Sequence, residues 1–356
     1  MSSSDKPGLL LINLGTPASA SAADVRSYLR EFLWDPRVID IPAWRRWLVL
    51  NLLILPVRPR QSARAYSKIW TERGSPLLFH GQDLAAKVQE RFGEVAVVDL
   101  AMRYGRPSIP EVLERLCRRG ISRIVVFPLY PQYSSASTGS SLEKVFSAAS
   151  KQWNVPYIQV VPPFYDHPAF IAACTDQARP VIREVGPEKV FFSFHGLPER
   201  QIHKGDRSGT YCLRGGDCCD RITEINADCY RAQCYQTTRL LAESLHVPEE
   251  KRVTCFQSRL GRTPWIRPYT DEVLNEAATR GVKRAVILSP AFVADCLETL
   301  EELGMRAAED WRAFGGERLD LVPSLNASDS WGDAVARIAR EASPWLAEGS
   351  RIAVNL

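Results

Sequence analysis

Arg119-Gly-Ile-Ser-Arg-Ile-Val-Val-Phe-Pro-Leu-Tyr130 and Arg280-Gly-Val-Lys-Arg-Ala-Val-Ile-Leu-Ser-Pro-Ala291 are two versions of one unit. Each reads as a helix end, a glycine that stops the helix, a buried strand and a loop containing proline. Working outward, strand-like runs recur at 9–14, 95–101, 123–127, 190–194, 253–256, 284–288 and 319–322. Helical patterns lie between them, for instance at 22–33, 109–117, 142–149, 230–245, 271–279 and 295–308. This alternation predicts an α/β protein with parallel sheets built from β-α-β units. The repeated unit predicts two related α/β domains facing each other; the alternative is a chance likeness between two parallel strands. A boundary is expected near the proline-rich 162–168 segment. The predicted division is 1–165, 166–328 and a C-terminal helix within 329–356 packed back on the body.

A chain of 356 residues suits two domains better than one core. Its 45% hydrophobic and 24% charged content is that of an ordinary globular protein. The net charge of +4 gives no polyanion preference, and no basic run interleaved with aromatics supports nucleic-acid binding. The N-terminus Met1-Ser-Ser-Ser-Asp-Lys-Pro lacks a signal-peptide core, which predicts a cytoplasmic protein. The longest apolar stretch, 47–57, is shorter than the ~20 residues needed to span a bilayer, and it contains Asn51 and Pro56. Trp44, Arg45, Arg46, Arg58 and Arg60 flank it. Two readings stand: a helix lying on a bilayer surface, or a buried helix with solvated arginines at its ends.

In open α/β sheets ligands bind at the carboxyl ends of strands, so the loops there carry the functional signal. In Phe191-Phe192-Ser193-Phe194-His195-Gly196-Leu197-Pro198-Glu199-Arg200 a buried aromatic strand breaks into polar residues at His195. A neutral imidazole there accepts protons near neutral pH or ligates a metal; otherwise it only caps the strand. The other strand-end loops hold Arg103, Tyr104, Tyr130, Tyr133, Ser134, Trp265, Phe292, Asp295 and Glu298. Asp295 and Glu298 also read as the two halves of a capping box. Together the aromatics, cations and acids describe a cleft for a flat, apolar ligand with acidic substituents.

The segments 193–200, 130–134 with 138–140, and 292–300 resemble the ferrochelatase family, and the match continues through 10–17, 28–42, 69–78, 102–105 and 263–272. The resemblance implies two Rossmann-like domains with parallel four-stranded sheets and an active-site cleft between them. It implies insertion of Fe²⁺ into protoporphyrin IX with distortion of the macrocycle and release of two protons, the terminal step of haem synthesis. By resemblance His195 and Glu298 are the catalytic pair and meet the Fe²⁺ substrate, with their division of labour open. Arg103, Tyr104, Tyr130, Ser134, Trp265 and Phe292 are the implied porphyrin-binding residues. One departure is Cys296, where many members carry a second histidine, although cysteine is also common in bacterial ones. The resemblance favours peripheral membrane contact through 44–60, on the inner membrane face.

Five of the nine cysteines fall at 212, 218, 219, 229 and 234. Such density in a cytoplasmic protein argues for metal before disulfides, and thiolates in fours suit zinc or an iron–sulfur cluster. Several ferrochelatases carry a 2Fe-2S cluster, so the resemblance implies one here. Cys212, Cys218, Cys219 and Cys229, in the extra 207–231 segment, are the expected ligands, with Cys234 in reserve. Structural zinc, or no metal, competes. A coproporphyrin III ferrochelatase and a non-catalytic porphyrin- or haem-binding redox sensor are the rival functions. Nothing in the sequence sets the oligomeric state.

Overall fold

A computed structural model describes residues 6–259, 261 and 263–347. Eight strands form two four-stranded sheets. The first contains β1 (Gly8–Gly15), β2 (Val97–Tyr104), β3 (Arg123–Pro128) and β4 (Tyr157–Val160). The second contains β5 (Lys189–His195), β6 (Arg252–Gln257), β7 (Arg284–Leu288) and β8 (Arg318–Leu321). Every pairing is parallel, in the orders β2-β1-β3-β4 and β6-β5-β7-β8. The two sheets therefore share one topology, and the two quoted copies become β3 and β7, equivalent strands in the two orders. Among the described residues the first compact unit comprises 6–129, 135–162 and 327–347, and the second 130–134 and 163–326.

Each unit has its own core. In the first, the helix Ile109–Arg118 starts at a capping box in which Ser108 accepts from the Glu111 N–H and Glu111 answers the Ser108 N–H. Its buried Ile109, Val112, Leu113 and Leu116 follow helical periodicity and pack on Leu10, Ile12, Ile124 and Val126. Each such side chain contributes roughly 1.5–3 kcal/mol. In the second unit Phe191, Cys255, Ile287 and Trp311 form the equivalent layer with Leu274 and Ala278. The helix Asp329–Ala342 belongs to the first unit, where Lys87 pairs with Asp329 at 2.7 Å and Arg340 donates to the Arg91 carbonyl at 2.8 Å.

β4 has no counterpart among the strand-like runs of the sequence. It is a four-residue edge strand, and its half-exposed Tyr157-Ile-Gln-Val160 lacks a continuous apolar signal. The 295–308 helical pattern also resolves differently: Glu298–Arg306 is π-helical, and an α-helix follows at Ala307–Ala313. At the end of β1, Gly15 has φ +120°, and a Cβ there would lie 1.8 Å from the Tyr104 carbonyl oxygen. Glycine lets the ends of β1 and β2 close against each other.

Candidate functional site

His195 is the last residue of β5, half-buried behind the fully buried Phe194. The Gly196 N–H donates to the Gln257 carbonyl at 2.8 Å. A Cβ on Gly196 would come within 2.8 Å of that oxygen and 3.2 Å of the Trp265 ring, so only glycine allows this closure. The consequence is chemical. His195 Nδ1 lies 2.6 Å from the Gly196 carbonyl oxygen, so Nδ1 carries a hydrogen, and in the neutral ring the lone pair is on Nε2. The Trp265 and Phe292 rings stand 6.4 Å and 6.3 Å from the imidazole, tilted by 51° and 56°. Trp265 is fixed by a bridge to Pro198 and by the Ile266 N–H donating to Leu197 O at 2.9 Å.

Glu298 opens the π-helical segment. Its carbonyl accepts from Gln257 Nε2 at 3.4 Å, and Gln257 Oε1 accepts from Ser193 Oγ of β5 at 2.7 Å. The capping-box reading does not hold, because the segment has no side-chain cap. Asp295 instead accepts from Thr299 Oγ1 (3.1 Å), the Ser324 N–H (3.2 Å) and Asn326 Nδ2 (2.7 Å), tying down the loop. Cys296 is buried, and its thiol donates to the Glu298 side chain; burial first, then the Glu298 charge, hold that thiol well above its usual pKa. At position 296 this chain thus places a neutral donor beside the carboxylate.

Glu302, which the sequence reading passed over, pairs with Ser258, a residue of one of the strand-end loops. Ser258, at φ +65°, donates its N–H (3.1 Å) and hydroxyl (2.7 Å) to the Glu302 carboxylate. A left-handed non-glycine residue beside a site is a common mark of imposed geometry. Burial raises the Glu302 pKa, and the Glu298 charge adds to it; bonds from Ser258 and the charges of His195 and Arg306 only partly offset this. The available signal was Ser258 at a strand end, but its partner depends on π-helical phase.

Arg103 and Tyr104 lie in the first unit and gather around Asp35, also missed. Asp35 accepts from Arg103 Nη2 (2.5 Å), Ser140 Oγ (2.5 Å), Tyr104 OH (2.9 Å) and the Arg37 N–H (2.7 Å). Burial works to raise the Asp35 pKa, but the Ser140, Arg37, Tyr104 and Arg103 contributions outweigh it and the value is lowered. Tyr104, expected to line the ligand, is 0% exposed and stands behind Arg103, whose guanidinium stacks on its ring at 4.3 Å. Tyr130 and Ser134 belong to the second unit. Their loop is held there by Gln132 donating to Thr237 Oγ1 at 3.0 Å and by the Tyr133 N–H donating to Gln233 Oε1 at 2.6 Å.

Cys212, Cys218, Cys219 and Cys229 are all buried and free. The thiols form two pairs: Cys218 and Cys219 with sulfurs 3.8 Å apart, and Cys212 with Cys229, which also reaches Cys219. Arg231 Nη1 donates to the Cys219 sulfur at 3.1 Å. Cys234 is turned toward the Tyr230 phenol. Among the described residues no group of three or more His, Cys, Asp or Glu side chains is arranged to hold a metal ion.

The 44–60 stretch is helical at Ala43–Leu48, π-helical at Val49–Ile54 and helical again from Arg58. Leu50 and Leu55 pack on Leu33, while Trp44, Trp47, Leu52 and Leu53 are 51–68% exposed. Arg46 differs from its expected place among the surface arginines. It is buried, donates to the Ile39 and Ile41 carbonyls at 3.1 Å and 3.3 Å, and stacks on Trp34. No helix among the described residues is long and apolar enough to cross a membrane.

The architecture is that of the two-domain α/β chelatases. The sirohydrochlorin chelatase SirB of Bacillus subtilis subspecies spizizenii, in complex with cobalt, superposes with a TM-score of 0.52 at 12% identity, covering 95% of this chain and 96% of that one. SirB from Bacillus subtilis with Fe³⁺ gives 0.51 at 16% identity, covering 76% and 92%. Sequence narrows the class: the ferrochelatase profile matches residues 6–343, and the chain belongs to the ferrochelatase family. It is 47% identical to a ferrochelatase of Legionella pneumophila (strain Lens) over 94% of this chain and 98% of that protein. It is 44% identical to one from Coxiella burnetii (strain Dugway 5J108-111) over 95% and 94%.

Proposed function

We propose that the protein inserts ferrous iron into protoporphyrin IX to give protohaem. The observation that carries this reading is the His195 tautomer. With Nδ1 tied to Gly196, Nε2 is left as a base between two aromatic rings. Two pyrrole N–H bonds break as the four ring nitrogens bind Fe²⁺, the two protons pass to His195 and to the carboxylates of the site, and the iron stays ferrous. His195 Nε2 takes a pyrrole proton. Glu298, with its Cys296 donor, and Glu302, with its raised proton affinity, supply oxygen ligands that suit Fe²⁺ and a path for protons. The Arg103 guanidinium is already committed to Asp35, which argues against coproporphyrin III, whose four carboxylates need additional cations. Anaerobic assay of Fe²⁺ insertion into both porphyrins tests this. Protoporphyrin preference and its loss in His195→Ala are expected; insertion retained by a folded His195→Ala protein would refute the mechanism.

The reading includes a 2Fe-2S cluster on Cys212, Cys218, Cys219 and Cys229, with Cys234 outside the set; as placed the thiols form pairs and not a metal-holding group, so the cluster would require them to close together, and what supports it is their nearness in one segment beside the Arg231 donor. A cluster supplies one-electron chemistry, and insertion needs none, so it takes no part in the step above. Visible absorption of anaerobically purified protein with matching iron and sulfide is the expected result; a colourless protein containing zinc would reject it.

The reading also includes a lipid bilayer against 44–60. The exposed Trp44, Trp47, Leu52 and Leu53, beside exposed Arg45, Arg58 and Arg60, suit an anionic membrane surface. Co-sedimentation with anionic vesicles, weaker with zwitterionic ones, is expected; no sedimentation with either would exclude it.

A further inference from the structure

We propose that Tyr230 and Arg231, the first two residues of the helix Tyr230–Ser244, are positioning residues that transmit the order of the cysteine-rich segment to His195. The inference rests on the reading of His195 as the reactive base. Cys229 is the N-cap of that helix, so the segment ends where the helix begins. Buried Asn226 stitches the segment together: its Nδ2 donates to the Cys218 and Arg221 carbonyls at 2.9 Å each, and its own carbonyl accepts from the Cys229 N–H at 2.8 Å. From that fixed start two side chains reach the site. The buried Tyr230 phenol donates to the His195 carbonyl oxygen at 2.9 Å. Arg231 donates to the Cys219 sulfur at 3.1 Å and also, through Nε and Nη2, to the Arg267 carbonyl at 3.4 Å. Arg267 lies two residues beyond Trp265, whose ring packs beside the imidazole. Tyr235 holds the guanidinium from its other side, with its hydroxyl at 3.1 Å and its ring at 4.7 Å.

One turn of helix thus grips both the backbone of the base and the loop of its aromatic neighbour. The same turn starts at Cys229 and is anchored on the Cys219 thiol. A change at Cys219 removes one of the holds on Arg231, loosens that turn, and is felt at His195 through Tyr230. The coupling runs through the chain's own side chains, whatever the thiols hold.

Amide hydrogen exchange on the protein as purified tests this in Tyr230→Phe, Cys219→Ala and the double variant, with Arg231→Gln breaking the same contact from its other end. Each single change is expected to speed exchange at 195–197 and 265–267 by roughly two- to tenfold, the range of one net hydrogen bond. At 195–197 the double variant should be no faster than the stronger single one, since the changes act in series there. Exchange in β1 and β3 of the first unit should stay unchanged and confirms folding. In the iron-insertion assay Tyr230→Phe should lower kcat by a similar factor with an unchanged KM for the porphyrin. Unaltered exchange at 195–197 in Tyr230→Phe, or additive effects there in the double variant, would overturn the proposal. A wild-type protein without iron insertion would defeat the assignment of His195 as a base and leave the exchange coupling standing.

Discussion

In the first unit the Asp35 carboxylate takes four donors and sits inside a closed network with Arg103, Tyr104 and Ser140. In the second unit, built on the same strand order, His195 keeps a lone pair and Glu302 has a raised affinity for protons. One repeat thus closes its carboxylate inside a network that lowers its proton affinity, whereas burial in the other raises that of Glu302 despite its two Ser258 donors. A duplicated topology does not impose a shared chemistry; the loop residues at the strand ends decide it.

Removing the reactive side of this contrast should have the largest effect. His195→Ala is expected to lower Fe²⁺ insertion by roughly 10²–10⁴-fold, as for a general base, with its circular dichroism unchanged. Next comes the satisfied side. Asp35→Ala leaves the largely covered Arg103 guanidinium without its carboxylate and should cost about 3 kcal/mol in urea unfolding; a loss under 1 kcal/mol would show the network to be loose.

The two carboxyls should also differ in the sign of their pH dependence. Asp35 has a lowered folded pKa, so its contribution is complete above the unfolded value of about 3.9 and is lost as pH falls through the folded one. Glu302 has a raised pKa, so its contribution is complete below about 4.3 and is lost as pH rises through the folded value. Unfolding of Asp35→Asn and Glu302→Gln from pH 3 to 8 reads both: the first variant should fall furthest below wild type near neutrality, whereas the second should gain on it as pH rises. Parallel curves would erase the distinction.

A smaller effect is expected at Gly196→Ala, where the added Cβ meets the Gln257 oxygen and the Trp265 ring. About 1–3 kcal/mol of stability should go, together with activity. The smallest is at the exposed lip. Leu52→Ser with Leu53→Ser should leave stability within about 0.5 kcal/mol while weakening vesicle binding, and a large stability loss would mean the lip is core.

Much of the fold was legible because buried parallel strands read as apolar runs, and β3 and β7 repeat the same pattern of a basic residue followed by apolar ones. β4 was not legible, because a short, half-exposed edge strand carries no such run. At the site His195, Trp265, Phe292 and Glu298 were visible as strand-end residues. Asp35, Glu302 and the pairing of Ser258 with Glu302 were not: each depends on a partner distant in sequence, and composition does not name partners. Tyr104 shows the converse, an aromatic found at a strand end whose ring points inward.

The π-helical segment Glu298–Arg306 gives chain length a meaning of its own. Four residues slightly overshoot a full turn in an α-helix but fall short of one when bonds run from i to i+5. The angle between Glu298 and the end of that helix is therefore stored as a residue count. Deleting a single residue between Glu302 and Arg306, without touching any carboxylate, would let the helix rewind to α and turn Glu298 away from the phase it holds relative to Ala307–Ala313. For this family member an insertion or deletion there is a rotation, and a tally of matched residues alone would miss it.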